Sequence, residues 1–178
     1  LGIILEEMGR TLYCGPFFSS AVMAGYALER FADEAAKIER LPQIADGSIR
    51  ATLVLDDLNH PSQVGRLIQA NEAGALTGSA PIVLDGCTAE DFIIVARNGA
   101  GLGLYALPRL SEGVTAVAQE SIDMTRKVAR VTLQSAKATK IGDVTSQDLN
   151  RFWDLTSVAL AHEMIGGAAR LLDETVEY

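Results

Sequence analysis

The spacing of apolar and polar residues changes twice along this chain, and the changes divide it into three regions. Over residues 1–47 the spacing is helical. "LGIILEEMGR" places apolar side chains at Leu1, Ile4, Leu5 and Met8, one face of a helix with a 3.6-residue repeat. "YCGPFF" interrupts it, and "SSAVMAGYALERFA" follows with a serine start and a mostly apolar body. "DEAAKIERLPQIADG" then reads as a helix capped by Asp33 and stopped at Pro42 and Gly47.

From Ile49 the period becomes two. "IRATLVL", "DFIIVAR", "LGLYALP", "VTAVAQ" and "KVARVTL" are short apolar or alternating runs separated by Gly, Asp and Ser turns. Five or more such strands predict an antiparallel β-barrel or sandwich over residues 48–144.

Helical spacing returns over residues 145–178, with Thr145 and Asp148 set as a capping box. The run from Ser146 to Tyr178 would extend roughly 50 Å at about 1.5 Å per residue. Phe152, Ala159, Ile165 and Leu172 mark one apolar face, and Trp153, Leu160, Met164 and Leu171 mark another. A helix apolar on two sides needs neighbours on both. Gly166 and Gly167 each cost about 1 kcal/mol inside a helix relative to alanine, so they fit a point where another backbone or a ligand comes close. The expected class is α+β: N-terminal helices, a central β domain, and a long helix that begins a bundle. That helix reads to the last letter without a stop signal, so the chain is expected to be an interior portion of a longer protein.

Composition narrows the function. The 178 residues are 48% hydrophobic and 21% charged, which suits a folded core. A net charge of −8 gives no electrostatic reason to expect nucleic acid. No apolar run reaches the ~20 residues of a membrane span, and Glu6 and Glu7 exclude a signal peptide at "LGIIL". Cys14 and Cys87 lack metal-ligand spacing and are expected to be buried thiols in a reducing cytoplasm.

Several motifs carry chemistry only in appearance. Gly99, Gly101 and Gly103 lie between two strand-like runs, so a hairpin turn is favoured over a phosphate loop, which must open a helix. "DDLNH", Asp56 to His60, reads as a solvated loop rather than a metal cluster. Asp123 and Arg126 are spaced for an ion pair across a turn. His162 and Glu163 point about 100° apart on a helix and cannot act on one atom, so His162 is expected to pack and Glu163 to be solvated or interhelical. On residues alone, no self-contained active site emerges.

Five segments in order resemble the acyl-CoA dehydrogenase (ACAD) family: "LEEMGR", "RLPQIADGSIRATLVLDD", "ALTGSAPIVLDGCTAEDFIIVAR", "GLGLYALPRLSEGVTAV" and "SVALAHEMIGGAARLLDETVEY". The resemblance implies a protein about twice this length, missing its first helices and most of a C-terminal helical domain. It also implies FAD and an acyl-CoA thioester. A carboxylate takes the α-proton, the β-hydride goes to the flavin, and a trans-2-enoyl-CoA results. An electron-transfer flavoprotein reoxidises the flavin, and the protein is a cytoplasmic homo- or hetero-oligomer, most often a tetramer.

The family's flavin-facing positions fall at Leu55, Asp56, Ile82, Val83 and Leu84, where relatives carry "LTEP" and "WxT". The family's catalytic glutamate lies beyond Tyr178 in most members. In a minority it aligns with Thr156, which cannot serve as a base near neutral pH. The next helix position, often Arg, is Ser157. "VLDG" at Val83–Gly86 resembles a divergent bacterial group acting on bulky acyl-CoAs, including sterol side chains, some as two-plus-two heterotetramers. The same motifs leave room for a non-catalytic partner chain or a same-fold flavin oxidase; a β-barrel binding module without flavin is the remaining alternative.

Overall fold

Helix α1 (Gly2–Arg10) buries Leu5 and Gly9, while Leu1 and Ile4 of the expected apolar face stay exposed. The computed structural model describes residues 1–99 and 101–178. A π-helical stretch, Phe18–Ala24, runs into α2 (Gly25–Phe31). The serine start expected there is corrected: the helical backbone is already in place at Phe17. Ser19 and Ser20 are buried, and their hydroxyls serve other elements instead of capping. Ser20 Oγ accepts from Ala51 N–H at 3.1 Å, and Ser19 Oγ donates to Asp85 at 2.6 Å.

Asp33 caps α3 (Glu34–Ala45), accepting from Ala36 N–H at 2.8 Å. Pro42 does not stop α3, because Leu41 and Ile44 on either side of it pack on the core and hold the turn helical. The helix ends before Gly47, whose φ of 77° suits only glycine without strain. Arg40 ties α3 to the sheet through Asp91. Burial pushes the Asp91 carboxyl above the usual carboxylate range, against the pull of Arg40 and with a push from Glu39.

All five predicted runs are strands: β1 (Ala51–Val54), β4 (Asp91–Asn98), β5 (Gly101–Pro108), β6 (Val114–Gln119) and β7 (Val128–Lys137). Three more were not in that count: β2 (Gln69–Ala70), β3 (Ala75–Leu84) and β8 (Thr139–Val144). β3 hides its period because the register shifts twice along it, between Leu76 and Gly78 and between Ala80 and Val83. β8 buries only Ile141 and Val144.

The strands form one sheet in the order β6-β7-β3-β2-β4-β5-β8, with β1 also on β4. It is not closed into a barrel, since β6 and β8 end the path. It is also not wholly antiparallel, because β1 and β2 both run parallel to β4. β4 and β5 form the expected hairpin, with Asn98 opposite Gly101; residue 100 of its turn lies outside the described residues.

β4 divides the core. Ile93 and Val95 face the helices with Val22, Leu28, Leu53 and Phe152. Phe92, Ile94 and Ala96 face the opposite side with Ile68, Tyr105 and Val131. This period-two alternation across a strand buried on both faces gives each layer its own apolar cluster. The two cysteines are not buried as expected: Cys14 is exposed in the connection after α1, and Cys87 is half-buried in the turn after β3. Among the described residues no helix is long and apolar enough to cross a membrane.

The capping box at α4 (Ser146–Glu177) forms as predicted, with Asp148 N–H donating to Thr145 Oγ1 and Thr145 N–H to Asp148 Oδ2, each at 3.1 Å. The close approach anticipated at its glycines is made by α1. A Cβ on Gly166 would lie 1.8 Å from the Glu6 carbonyl oxygen, and one on Gly9 would lie 1.9 Å from that of Glu163. Gly167 is looser, with its nearest contact at 3.6 Å. The His162 ring packs over Gly2, its Nδ1 4.0 Å from Glu6 Oε2. Met164, Leu171 and Leu172 on α4 are exposed.

The loop from Leu55 to Ile68 is drawn in by one carboxylate. Asp56 is 3% exposed and accepts from the backbone N–H groups of Gly65 (2.8 Å), Leu67 (2.5 Å) and Ile68 (3.0 Å). The solvated "DDLNH" loop is thus corrected at its first residue, while Asp57 caps Asn59 and His60 at the surface.

Two stability measurements follow from this packing. Gly166→Ala should lower the unfolding free energy by about 1–3 kcal/mol through overpacking. Gly167→Ala should be neutral or gain up to about 1 kcal/mol of helix propensity. Equal losses in urea titrations would contradict the crossing. Asp56→Ala strands three backbone donors at about 1–3 kcal/mol each, so a loss above roughly 3 kcal/mol is expected, with Asp56→Asn intermediate.

Candidate functional site

A groove of about 220 Å³ opens where α4 passes the end of β3. α4 contributes Phe152, Trp153, Thr156, Ser157 and Leu160, β3 contributes Leu84, and the π-helical stretch contributes Phe18 and Met23. Leu58, from the loop held by Asp56, completes the wall. Helical spacing brings 153, 156, 157 and 160 to one side of α4, since residues three and four apart are neighbours.

The walls are fixed by their own bonds. Trp153 Nε1 donates to the Leu58 carbonyl at 3.3 Å. Phe152 lies edge-on to Trp153 at 5.8 Å and tilted against Phe31 at 5.9 Å, arrangements aromatic rings favour. The buried Thr52 hydroxyl donates to the Leu84 carbonyl at 2.7 Å and locks the end of β3 to β1.

Polar groups in the groove are few. Thr156 Oγ1 is committed to its own helix, donating to the Phe152 carbonyl at 2.9 Å. Ser157 is exposed and carries the one hydroxyl there with no such tie among the described residues. Among the described residues no carboxylate lines the groove.

The sequence-derived site residues divide. Leu84 reaches the groove with its side chain. Leu55 and Val83 are each 1% exposed and belong to the two cores, on the helix side and the far side of the sheet. Asp56 spends its carboxylate on the loop, and Ile82 is 44% exposed away from the groove lining. Thr156 does lie in the groove. Residues not singled out as site residues include Phe18, Met23, Leu58 and Trp153. Trp153 is the chain's sole tryptophan, and the aromatic pair before Ser19 was the other available signal.

The ion pair expected between Asp123 and Arg126 is corrected. The Thr125 hydroxyl and then its N–H hold the Asp123 carboxyl below the usual range. Arg126 instead bonds Glu163 on α4 and lies over the Phe18 ring, 5.2 Å from its centroid. The Glu163 side chain is therefore paired with this loop rather than with another helix. A larger cleft of about 360 Å³, lined by charged residues Asp85, Arg50 and Lys127 together with Pro16 and Met124, is separate from the groove lining. Its Arg50 is paired with Glu90, and its Asp85 is held by Ser19. Among the described residues no group of three His, Cys, Asp or Glu side chains could hold a metal.

No protein-family model matches the sequence, and no curated protein matches it. Solved structures do. The Tcur3481–Tcur3483 steroid ACAD variant superposes with a TM-score of 0.80 at 22% identity, covering 99% of this chain and 48% of its own. Butyryl-CoA dehydrogenase from Megasphaera elsdenii gives 0.86 at 18%, covering 99% and 51%. A glutaryl-CoA dehydrogenase from Mycobacterium smegmatis, in complex with FADH2, gives 0.78 at 15%, covering 90% and 44%. The chain spans about half the length of these proteins, and over that span it has the fold of the acyl-CoA dehydrogenases.

Proposed function

We propose that the complete protein is a subunit of a FAD-dependent acyl-CoA dehydrogenase, converting an acyl-CoA thioester to its trans-2-enoyl-CoA. The observation that carries this reading is the apolar groove between the end of β3 and α4, set within the acyl-CoA dehydrogenase fold. FAD, when bound, supplies the acceptor for the two electrons removed from the substrate.

The residues present fit such a group in part. Leu84, Leu58 and Trp153 offer flat apolar wall, and an aromatic or aliphatic slot excludes water from an oxidation that water would disturb. Side-chain donors to the cofactor are scarce here, because Leu84 stands where relatives carry threonine and Asp56 is fully engaged by backbone. Ser157 is the available hydroxyl. Thr156 positions nothing beyond its own helix turn and does not take the α-proton. The base is a carboxylate from outside residues 1–178.

The steroid ACAD match, with its paired name, supports a hetero-oligomeric assembly and a bulky acyl group. Electron-transfer flavoprotein as oxidant and a cytoplasmic site belong to the same proposal. The absence of a carboxylate from the groove also favours a second reading, a partner chain that lends walls to another subunit's site.

Anaerobic mixing of the purified complete protein with acyl-CoA should bleach its flavin absorption and yield enoyl-CoA. A protein that neither holds FAD nor binds an acyl-CoA would overturn the proposal. One that binds FAD only with a second subunit would select the partner reading. Residues 1–178 alone are expected neither to retain FAD in equilibrium dialysis nor to turn over substrate.

A further inference from the structure

The loop between β1 and β2 is fixed at its base and lightly held at its tip. At the base, Asp56 Oδ1 accepts from the Gly65 N–H at 2.8 Å, which brings the two ends of segment 57–64 together. Arg97 holds the same place from β4, its Nε donating to the Gly65 carbonyl and its backbone N–H to that of Ile68, each at 3.0 Å. Val64 is buried in the helix-facing core and stays with the base. Compact loops with joined ends are often functional.

The tip, residues 57–63, is knit within itself. Asp57 Oδ1 accepts from the Asn59 and His60 N–H groups at 2.8 and 2.9 Å, and Gln63 N–H donates to the His60 carbonyl at 2.9 Å. Asn59, His60 and Ser62 are exposed. Among the described residues one hydrogen bond joins the tip to another element, from Trp153 Nε1 to the Leu58 carbonyl at 3.3 Å, which is long for such a bond. Leu58 is also the tip's one large apolar side chain, and it is only partly buried against the core. A carboxylate with three backbone donors thus holds the base, while one neutral bond and one leucine hold the tip against α4.

We propose that residues 57–63 form a flap that swings off α4 as one piece, with the Asp56 carboxylate as its fixed base and the Leu58–Trp153 contact as its catch, and so gates the groove. The inference rests on the acyl-CoA reading of that groove. With the catch closed the groove is about 220 Å³, below the roughly 300–1,000 Å³ of small-molecule sites. Leu58 is one of its walls, so lifting the tip widens the space while β3 and α4 stay in place. Because Asp57 keeps the tip folded, the motion needs dihedral changes only where the tip meets its base, as in hinged lids. A gate acts on entry and exit alike. Weakening its catch speeds both and leaves affinity nearly unchanged, whereas losing a wall contact speeds exit alone.

The test measures, by stopped flow, the association and dissociation rates of S-butyl-CoA with the complete protein. This thioether lacks the carbonyl that acidifies the α-proton, so it binds without reacting. Trp153→Phe keeps an aromatic ring and removes the N–H donor. Both rates should rise together by about two- to tenfold, the effect of one neutral hydrogen bond, with the dissociation constant changing less than either. Leu58→Ala should move both rates in the same direction. If Trp153→Phe fails to fold, Leu58→Ala carries the comparison alone. If association does not quicken, Leu58 and Trp153 are static wall, the flap is overturned and the acyl-CoA reading stands. A wild type that does not bind the thioether overturns that reading, and the flap with it.

Discussion

The helical side of this molecule depends on α1 and α4 touching backbone to backbone. At Gly9 and Gly166 the carbonyl oxygens of Glu163 and Glu6 occupy the space where side chains would stand. With the helices so close, Leu5 is sealed between them, and Phe152 and Ala159 seat on the helix-facing cluster. Arg10 and Asp173 also bond across the pair at 2.8 Å, but both are substantially exposed, so this contact contributes at most about 1 kcal/mol. Steric fit, not charge, fixes the crossing. The groove is its consequence, since any other rotation of α4 would carry Trp153 and Thr156 away from Leu84.

β4 does the corresponding work for the sheet. It pairs with β1, β2 and β5 and sends successive side chains into two separate cores. β1 is thereby held beside it, and the Thr52 hydroxyl fixes the end of β3. One wall of the groove is thus referenced to a strand buried on both faces, and the other to a helix anchored by glycine. The loop between β1 and β2 lies between them and has neither support; Asp56 gives it one by gathering three backbone donors. Leu58 then meets Trp153 as part of an ordered wall.

Much of this was legible in the letters. The period change at Ile49, the box at Thr145 and Gly166 of α4 are local signals, and the structure follows them; Gly167 beside it has room for a side chain. Signals failed where tertiary partners overrode local preference. Pro42 should end a helix, yet Leu41 and Ile44 hold it on the core. Ser19 and Ser20 look like caps, yet they bond a turn and a strand far away in sequence. β2 is two residues long and β3 shifts register twice, so neither shows a clean alternation. The groove was less legible still. Its walls come from four segments, and apolar residues such as Leu58 and Met23 look the same whether they line a site or fill a core. Arg126 was read against its neighbour Asp123, because sequence spacing shows near partners and conceals Glu163, which lies 37 positions away.

The crossing of the first and last helices also bears on the order of assembly. Arg10 and Asp173 are 163 positions apart, so the contact between α1 and α4 waits until α4 has been synthesised. A contact of such long range carries a high loop-closure entropy, and it forms late. Until then Leu5, buried in the finished fold, lacks the helix that covers it. The sheet is expected to form around β4 first, and α1 and α4 to close on each other later, so that the groove forms after the sheet.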